Sequence, residues 1–296
     1  MNESTKEQYN RKKTSRRNYI IGTAILISVI TVFSFWMLVW SPKYDSQSDL
    51  IIRQEVAKQL KKDQNNLTDE DFAGIKEFEV GTIVNSYDAA AVYKELSDIK
   101  LLEKFTGLQE LHLSIHFPQD NIPKWAKVLA KWNIVDLTKR YSIELTPLEK
   151  INSIERLYLY RSQIRNLKPL SKLVNLRYLS ISDTLVSDLE PLRNLSKLQY
   201  LDVWGTKVSN LKPLEGLIEL KELWLSGPLI SDLKPLKNLT NLKKLHLNMT
   251  NCSNLEPLIG LKKLRSLYII DCNNISDEQI EDFKKALLNL KVERQM

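Results

Sequence analysis

The chain has 296 residues, a formal net charge of +7 and only two cysteines. Residues 1–18 alone carry a net charge of +4, so the basic balance is largely confined to an N-terminal tail and does not indicate a nucleic-acid-binding protein. With eight glycines, the chain also has no glycine-rich loop of the kind that binds phosphates.

An uncharged run from Tyr19 to Trp40 follows the tail. The run is long enough for a helix to cross a hydrocarbon core of roughly 30 Å at about 1.5 Å per residue. Tyr19, Trp36 and Trp40 lie at or near its ends, where aromatic residues meet the membrane interface. The alternative is a cleaved signal peptide, but its apolar region would be shorter and followed by small residues, which Phe35–Trp40 does not offer. The run therefore predicts a transmembrane helix at 19–40.

The charges on either side of this run predict its orientation. Only Lys43 lies just after it, whereas five cations precede it, namely Arg11, Lys12, Lys13, Arg16 and Arg17. Because positive flanks stay inside, we expect a cytoplasmic tail at 1–18 and an extracytoplasmic remainder, in a single-pass protein of the cell membrane.

A polar linker at 41–48 leads into a helical pattern over roughly Asp49–Lys62. Ile52, Val56 and Leu60 share one face of this helix, and Ser48 is a candidate N-cap. Because the open end of a repeat array would expose apolar residues, we interpret residues 49–74 as an N-terminal helical cap.

Repeats occupy residues 75–275, and their clearest stretch is Leu176–Leu261. There an apolar, two variable, apolar, one variable, apolar pattern returns at a constant interval, at Leu176, Leu179, Ile181; Leu198, Leu201, Val203; Leu220, Leu223, Leu225; and Leu242, Leu245, Leu247. The alternation predicts a short strand with one buried face. A Leu-x-Pro-Leu step recurs in phase, and its proline predicts a turn or short 3₁₀ segment on the outer side. Stacking such coils predicts a parallel sheet along a solenoid.

Less regular copies extend the array in both directions. The strand pattern also fits Ile75–Val80, Leu108–Leu113, Trp132–Leu137, Ile154–Leu159 and Leu264–Ile269, with an inserted helix predicted at Pro123–Lys131. Ser276 and Asp277 then open an amphipathic helix, so residues 276–296 are predicted to form a C-terminal helical cap with a charged tail.

The repeat resembles the leucine-rich repeat over about Leu108–Leu267. Its 22-residue form, with Asp-Leu-x-Pro-Leu, is similar to the short class of bacterial internalins and of a eukaryotic regulator of type-one protein phosphatase. The resemblance implies an α/β leucine-rich repeat solenoid with a parallel sheet on the concave face and turns or 3₁₀ segments on the convex face. We expect helical caps at both ends of this solenoid and one transmembrane helix before it. The resemblance also implies recognition of a partner.

Chemistry-bearing side chains give no sign of catalysis. No set of nucleophile, base and orienting residue can be assembled from spacing, so no enzyme, cofactor or metal site is predicted. His112 and His116 are four apart, but they fall at the end of a predicted strand, where this spacing does not bring two ligands together. Asp188 and Asp232 recur with the repeat, which indicates a turn or capping role in each coil.

Both cysteines occupy repeat positions with a structural explanation. Cys252 aligns with Val186, an inward apolar anchor, and Cys272 aligns with Thr184. In leucine-rich repeats, the side chain at this second position commonly bonds to the backbone after the strand. A disulfide between adjacent coils is the alternative.

The residues that alternate with the buried leucines are expected on the concave face. Aromatic side chains are concentrated there, and the predicted partner-binding residues are Tyr158, Tyr160, Tyr178, Tyr200, Trp204, Trp224, His246 and Tyr268. Tyrosine and tryptophan with interspersed charge are typical of interface hot spots. The alternative is that the rings only stabilise one another across strands.

The sequence thus predicts a membrane-anchored recognition module that binds a protein outside the cytoplasm. A carbohydrate or cell-wall binder is an alternative, because aromatic faces also stack on sugars. A third possibility is a cytoplasmic scaffold for a phosphatase, and the predicted span with its flanking charge argues against it.

Overall fold

The computed structural model describes residues 45–82, 99–115 and 143–294. All of them belong to one compact unit, Asp45–Met296. The predicted tail, the transmembrane helix at 19–40, the helix at Pro123–Lys131, the strand at Trp132–Leu137 and His116 lie outside the described residues. Within the described ranges, no helix combines the length and apolar character that crossing a bilayer requires.

The described strands form one parallel sheet in which every strand pairs with its neighbours in sequence. They are β1 Glu77–Thr82, β2 Glu110–Ile115, β3 Arg156–Tyr158, β4 Tyr178–Ser180, β5 Tyr200–Asp202, β6 Glu222–Ser226, β7 Lys244–Asn248, β8 Ser266–Tyr268 and β9 Lys291–Glu293. From β3 to β8, each central leucine lies opposite its equivalent in the next coil, beginning with Leu157 opposite Leu179. The predicted repeat and its parallel sheet are confirmed.

Two parts of the sheet differ from the prediction. β2 pairs directly with β3, Leu111 lying opposite Leu157, so no strand lies between them in this sheet. The predicted strand at Trp132–Leu137 lies outside the described residues and stays a prediction. At the other end, β9 adds Val292 opposite Leu267, in the segment 276–296 that was predicted as a helical cap and tail without a strand.

The core runs along the inner side of the sheet. The central leucines of β3–β8 are all 0% exposed, and they are Leu157, Leu179, Leu201, Leu223, Leu245 and Leu267. Full burial of each such side chain contributes about 1.5–3 kcal/mol. Because the coils stack in order, each leucine is shielded by its neighbours in the adjacent coils.

The Leu-x-Pro-Leu steps form 3₁₀ helices on the far side of the core, as predicted. They are Thr146–Lys150, Lys168–Lys172, Glu190–Leu192, Lys212–Leu214, Lys234–Leu236 and Glu256–Leu258. Each has proline in its first two positions, where a missing amide hydrogen costs no intrahelical bond.

Carboxylate and amide side chains accept hydrogen bonds from backbone amides at the start of these helices. Asp188 Oδ1 accepts a hydrogen bond from the Glu190 amide at 2.8 Å, and Asp232 Oδ1 accepts one from Lys234 at 2.9 Å. The predicted turn role of the two aspartates is confirmed.

A left-handed residue follows each of the strands β3–β8 at the same repeat position. Its φ lies between +54° and +102°, and the residues are Arg161, Asp183, Gly205, Gly227, Met249 and Asp271. In the left-handed region, a side chain costs roughly 1–2 kcal/mol, so four of these six coils carry backbone strain that the stacked array must offset.

Helices lie at both ends of the array. α1 is Asp45–Leu60, a 3₁₀ turn spans Gln64–Asn66, and α2 is Asp69–Gly74. α1 begins before the predicted start, so Ser48 lies inside the helix and not at its N-cap. Ile52 and Val56 on α1 are buried against the core, as is Phe72 on α2, so the two helices cover apolar residues of the first coils.

The C-terminal helix, α3, is Asp277–Ala286. Ser276 caps it by accepting a hydrogen bond from the Gln279 amide at 3.2 Å, as predicted. Ile280 and Phe283 on this helix are buried against the last coils.

Candidate partner-binding face

In each short strand, the two residues that flank the central buried leucine lie on the other face of the sheet. At the first position, β2–β8 carry Glu110, Arg156, Tyr178, Tyr200, Glu222, Lys244 and Ser266. At the second position they carry His112, Tyr158, Ser180, Asp202, Trp224, His246 and Tyr268. We term this surface the aromatic face.

Four rings form a continuous run over β2–β5. The His112 and Tyr158 ring centroids are 3.9 Å apart, and those of Tyr178 and Tyr200 are 3.8 Å apart, both pairs being stacked. Tyr158 contacts Tyr178 diagonally at 4.7 Å, with the rings tilted by 37°. The run therefore changes from the second strand position to the first between β3 and β4.

Three rings form a second run over β6–β8, all at the second strand position. Trp224 stacks on His246 at 3.6 Å, and His246 stacks on Tyr268 at 4.0 Å. The indole Nε1 of Trp224 donates a 2.8 Å hydrogen bond to Glu222 Oε1, and Lys244 Nζ lies 3.5 Å from Glu222 Oε2. The tryptophan is thus fixed by its own strand as well as by the stack.

Polar groups separate the two runs. Asp202 lies opposite Trp224, and Glu222 lies opposite Tyr200. Asp202 accepts a hydrogen bond from Ser180 Oγ at 3.0 Å and another from the Trp204 amide at 3.0 Å. Burial raises the pKa of the Asp202 carboxyl, and the nearby Asp183 carboxylate adds to this effect.

The rings shift the acid–base behaviour of their own polar groups. Burial raises the pKa of Tyr200, and the hydrogen bond with Tyr178 adds to the shift. Burial lowers the pKa of His246 from 6.5 to about 4, because the imidazole is only 6% exposed between Trp224 and Tyr268. Both groups are therefore uncharged at neutral pH.

The structure brings six of the eight predicted binding residues into the two ring runs. The other two, Tyr160 and Trp204, lie beyond the strand ends and enter no ring contact with another described residue. Trp204 is 37% exposed. Sequence reasoning missed His112 as a member of the face, although its alignment with Tyr158 could have indicated it.

Contacts with neighbouring side chains hold His112 in place on the aromatic face. Its Nε2 lies 2.8 Å from Glu110 Oε1, while Arg156 bonds the other oxygen of Glu110 at 2.6 Å. No group of three metal-ligating side chains is placed to hold an ion within residues 45–82, 99–115 and 143–294.

The cysteines lie in the core and are free. Cys272 Sγ donates to the Leu247 carbonyl of the preceding coil at 2.8 Å, whereas Thr184 Oγ1 donates to the Ile181 carbonyl of its own coil at 2.7 Å. Cys252 is 0% exposed, and burial raises its thiol pKa to about 11. Both side chains serve the packing and turns of the coils.

In the parallel sheet, β3–β8 recur at a constant interval, and each of β3–β7 is followed by a left-handed residue and a proline-led 3₁₀ helix; this arrangement defines a solenoid repeat protein. The family described as a leucine-rich repeat region matches residues 137–295, and the chain belongs to this family. No curated protein gives a significant match.

Three solved structures are similar to this chain, and the first shares its fold. Internalin C2 from Listeria monocytogenes is 24% identical with a TM-score of 0.53, and the match covers 75% of this chain and 95% of that one. An internalin, inlF, from the same organism is 21% identical over 84% of this chain and 78% of its own, with a TM-score of 0.46. A leucine-rich repeat protein of Leptospira interrogans is 20% identical over 67% and 57%, with a TM-score of 0.49. The repeat fold suggests a protein-binding module.

Proposed function

We propose that the protein is a non-enzymatic, membrane-anchored recognition module that binds a protein partner through the aromatic face. The observation that carries this proposal is the pair of ring runs, which lines the sheet side opposite the leucine core from β2 to β8. In this family the sheet forms the concave side, so the face would receive a convex partner.

The composition of the face supports a protein partner. Large rings are held rigidly by their neighbours, and charged groups such as Arg156, Glu222 and Lys244 lie among them. Rigid aromatic side chains lose little conformational entropy on binding, and they dominate the energetics of many interfaces. Ring stacking within the face therefore prepares the surface for binding as well as stabilising the sheet.

The same stacking argues against the carbohydrate alternative. A sugar ring stacks on an open aromatic face, but Tyr178 and Tyr200 cover one another, and His246 is covered on both sides. The rings therefore offer mainly edges, hydroxyls and the more exposed Trp204. Such a surface fits the mixed polar and apolar groups of a protein.

Photo-crosslinking from Trp204, which adjoins the aromatic face two residues after Asp202, tests this function. In the full chain, p-benzoylphenylalanine at Trp204 should form a discrete adduct with a protein of the native envelope. The same group at Leu229, which is 55% exposed and lies outside the aromatic face, should not form it. The adduct should be at least tenfold weaker when Trp224→Ala is added, because the second ring run then loses its first member.

Stability must be measured beside capture. If Trp224→Ala lowers the melting temperature and leaves the adduct unchanged, the rings only stabilise the sheet and the proposal fails. An adduct of equal yield from both labelled positions would also contradict it, because capture would then not depend on the face.

The proposed anchor is tested separately. The support for it is the uncharged run at 19–40 with five cations before it. Protease added to intact cells should remove the repeat region, and complete protection of that region would reverse the proposed topology.

A further inference from the structure

One edge of the described array is rich in cationic side chains. It is formed by the segments that lead into β5–β9, namely residues 195–199, 217–221, 239–243, 261–265 and 287–291. Their charged residues are all cationic except Glu219, and the cations are Lys197, Lys221, Lys243, Lys262, Lys263, Arg265 and Lys291. All seven cations are exposed, and we term this surface the basic edge.

Four of these cations form a row through adjacent coils. The Lys243 amide donates to the Lys221 carbonyl at 2.7 Å, Arg265 to Lys243 at 2.8 Å, and Lys291 to Arg265 at 2.8 Å. Neighbouring strands lie about 4.8 Å apart. Like charges directly opposite one another on neighbouring strands destabilise a sheet, so this row opposes folding unless something neutralises it.

No carboxylate within residues 45–82, 99–115 and 143–294 forms an ion pair with the row. None of the seven cations forms an ion pair with another described residue. Several contact uncharged groups instead, such as Lys221 with Gln199 Oε1 at 2.9 Å and Lys263 with Asn241 Oδ1 at 2.6 Å. On the 3₁₀ side of the array, by contrast, acidic residues such as Glu190 and Glu256 interrupt the lysines.

Exposed aliphatic side chains share this edge. Ile218 is 51% exposed and Leu288 is 91% exposed, and each directly follows the first leucine of its segment. In the coil before β4, Val174 has the same position after Leu173 and is 52% exposed. The edge therefore combines unneutralised cations with aliphatic groups that extend into solvent.

We propose that the basic edge lies against an anionic lipid bilayer. Lipid headgroups would neutralise the row, while Ile218 and Leu288 would enter the apolar part of the interface. An acidic protein or polymer would neutralise only the cations and would leave the aliphatic side chains exposed to water. Because the cations follow one edge through successive coils, they can meet a membrane surface together.

A fluorescent reporter on the edge tests this contact. Thr240 is exposed within the basic edge, and both native cysteines are buried, so a thiol-reactive, polarity-sensitive dye can be attached at Thr240→Cys in the full chain. Vesicles of phosphatidylcholine with phosphatidylglycerol should shift its emission to the blue, and high salt should reverse the shift. The same dye at Ser231→Cys, an exposed position after β6, should not shift.

Charge reversal gives the matched control. Lys221→Glu, Lys243→Glu and Lys263→Glu together should abolish the shift, because each cation near an anionic membrane contributes roughly fivefold in affinity. Lys168→Glu, Lys212→Glu and Lys234→Glu change the net charge equally on the 3₁₀ side and should preserve the shift.

Three outcomes would overturn the proposal. An equal shift with pure phosphatidylcholine would mean that general membrane attachment moves the dye. An equal loss in the two triple variants would mean that only net charge matters. A shift with polyglutamate and none with vesicles would assign the edge to an acidic polymer.

Discussion

His246 should make the stability of the protein fall between pH 7 and pH 5. Its imidazole is 6% exposed and stacked between Trp224 and Tyr268, and burial lowers its pKa from 6.5 to about 4. Lys244 also lowers the pKa, whereas Glu222 raises it. The folded state therefore prefers the neutral ring more strongly than the unfolded state does.

The sign and size of the effect follow from this difference. The contribution of the neutral ring is fully present above pH 6.5, the ordinary value for histidine, and is lost as the pH falls toward 4. At 1.36 kcal/mol for each unit of pKa difference, the loss by pH 5 is about 2 kcal/mol and approaches about 3 kcal/mol near pH 4.

Urea unfolding at a series of pH values measures this loss. His246→Phe retains a ring between Trp224 and Tyr268 but has no titrating group, so it serves as the matched control. The free energy of unfolding should fall by about 2 kcal/mol more in the native protein than in His246→Phe between pH 8 and pH 5. Parallel pH profiles would refute the reasoning, because carboxylates alone would then account for the pH dependence.

Three further predictions concern the coils. Gly205→Ala should lower the free energy of unfolding in urea by about 1–2 kcal/mol, because φ is +68° and the added Cβ would collide with Asp183. Adding Asp183→Ala should recover the steric part of this cost, and full additivity of the two changes would contradict the contact. Leu201→Ala should cost about 2–5 kcal/mol by leaving a cavity between coils, and a cost under 1 kcal/mol would show that the core is not continuous there. Cys252 and Cys272 should resist iodoacetamide at pH 8 until the protein is unfolded, and rapid labelling of the native protein would contradict their burial.

The sequence predicts the strands and the core of β3–β8 because the repeat is strict there. Every leucine of the series beginning at Leu179 has one role, and the constant length of the coil brings equivalent atoms into register. Between β2 and β3 the repeat loses its constant interval, and the sequence pattern did not indicate that Leu111 would lie opposite Leu157. Local pattern cannot determine which segments meet.

Other features depend on geometry that residue types do not indicate. The left-handed position is occupied by arginine, aspartate, glycine and methionine, so no single residue type marks it. The two ring runs are separate because polar side chains lie beside their ends, Glu222 opposite Tyr200 and Asp202 opposite Trp224, and this pairing depends on the register of the sheet. The net charge of the sequence did not indicate the basic edge, because it sums the charges of all surfaces into one number.

The recurring left-handed position has a consequence for the length of the protein. Excision of residues 205–226 would join Trp204 to Gly227, which is also left-handed, so the new junction would have the backbone geometry of the old one. β5 would then meet β7, with Leu201 opposite Leu245, and the binding surface would be shorter by one coil. Duplication or deletion of a whole coil can therefore enlarge or reduce the binding surface of such a chain without changing the backbone geometry at the junctions between coils.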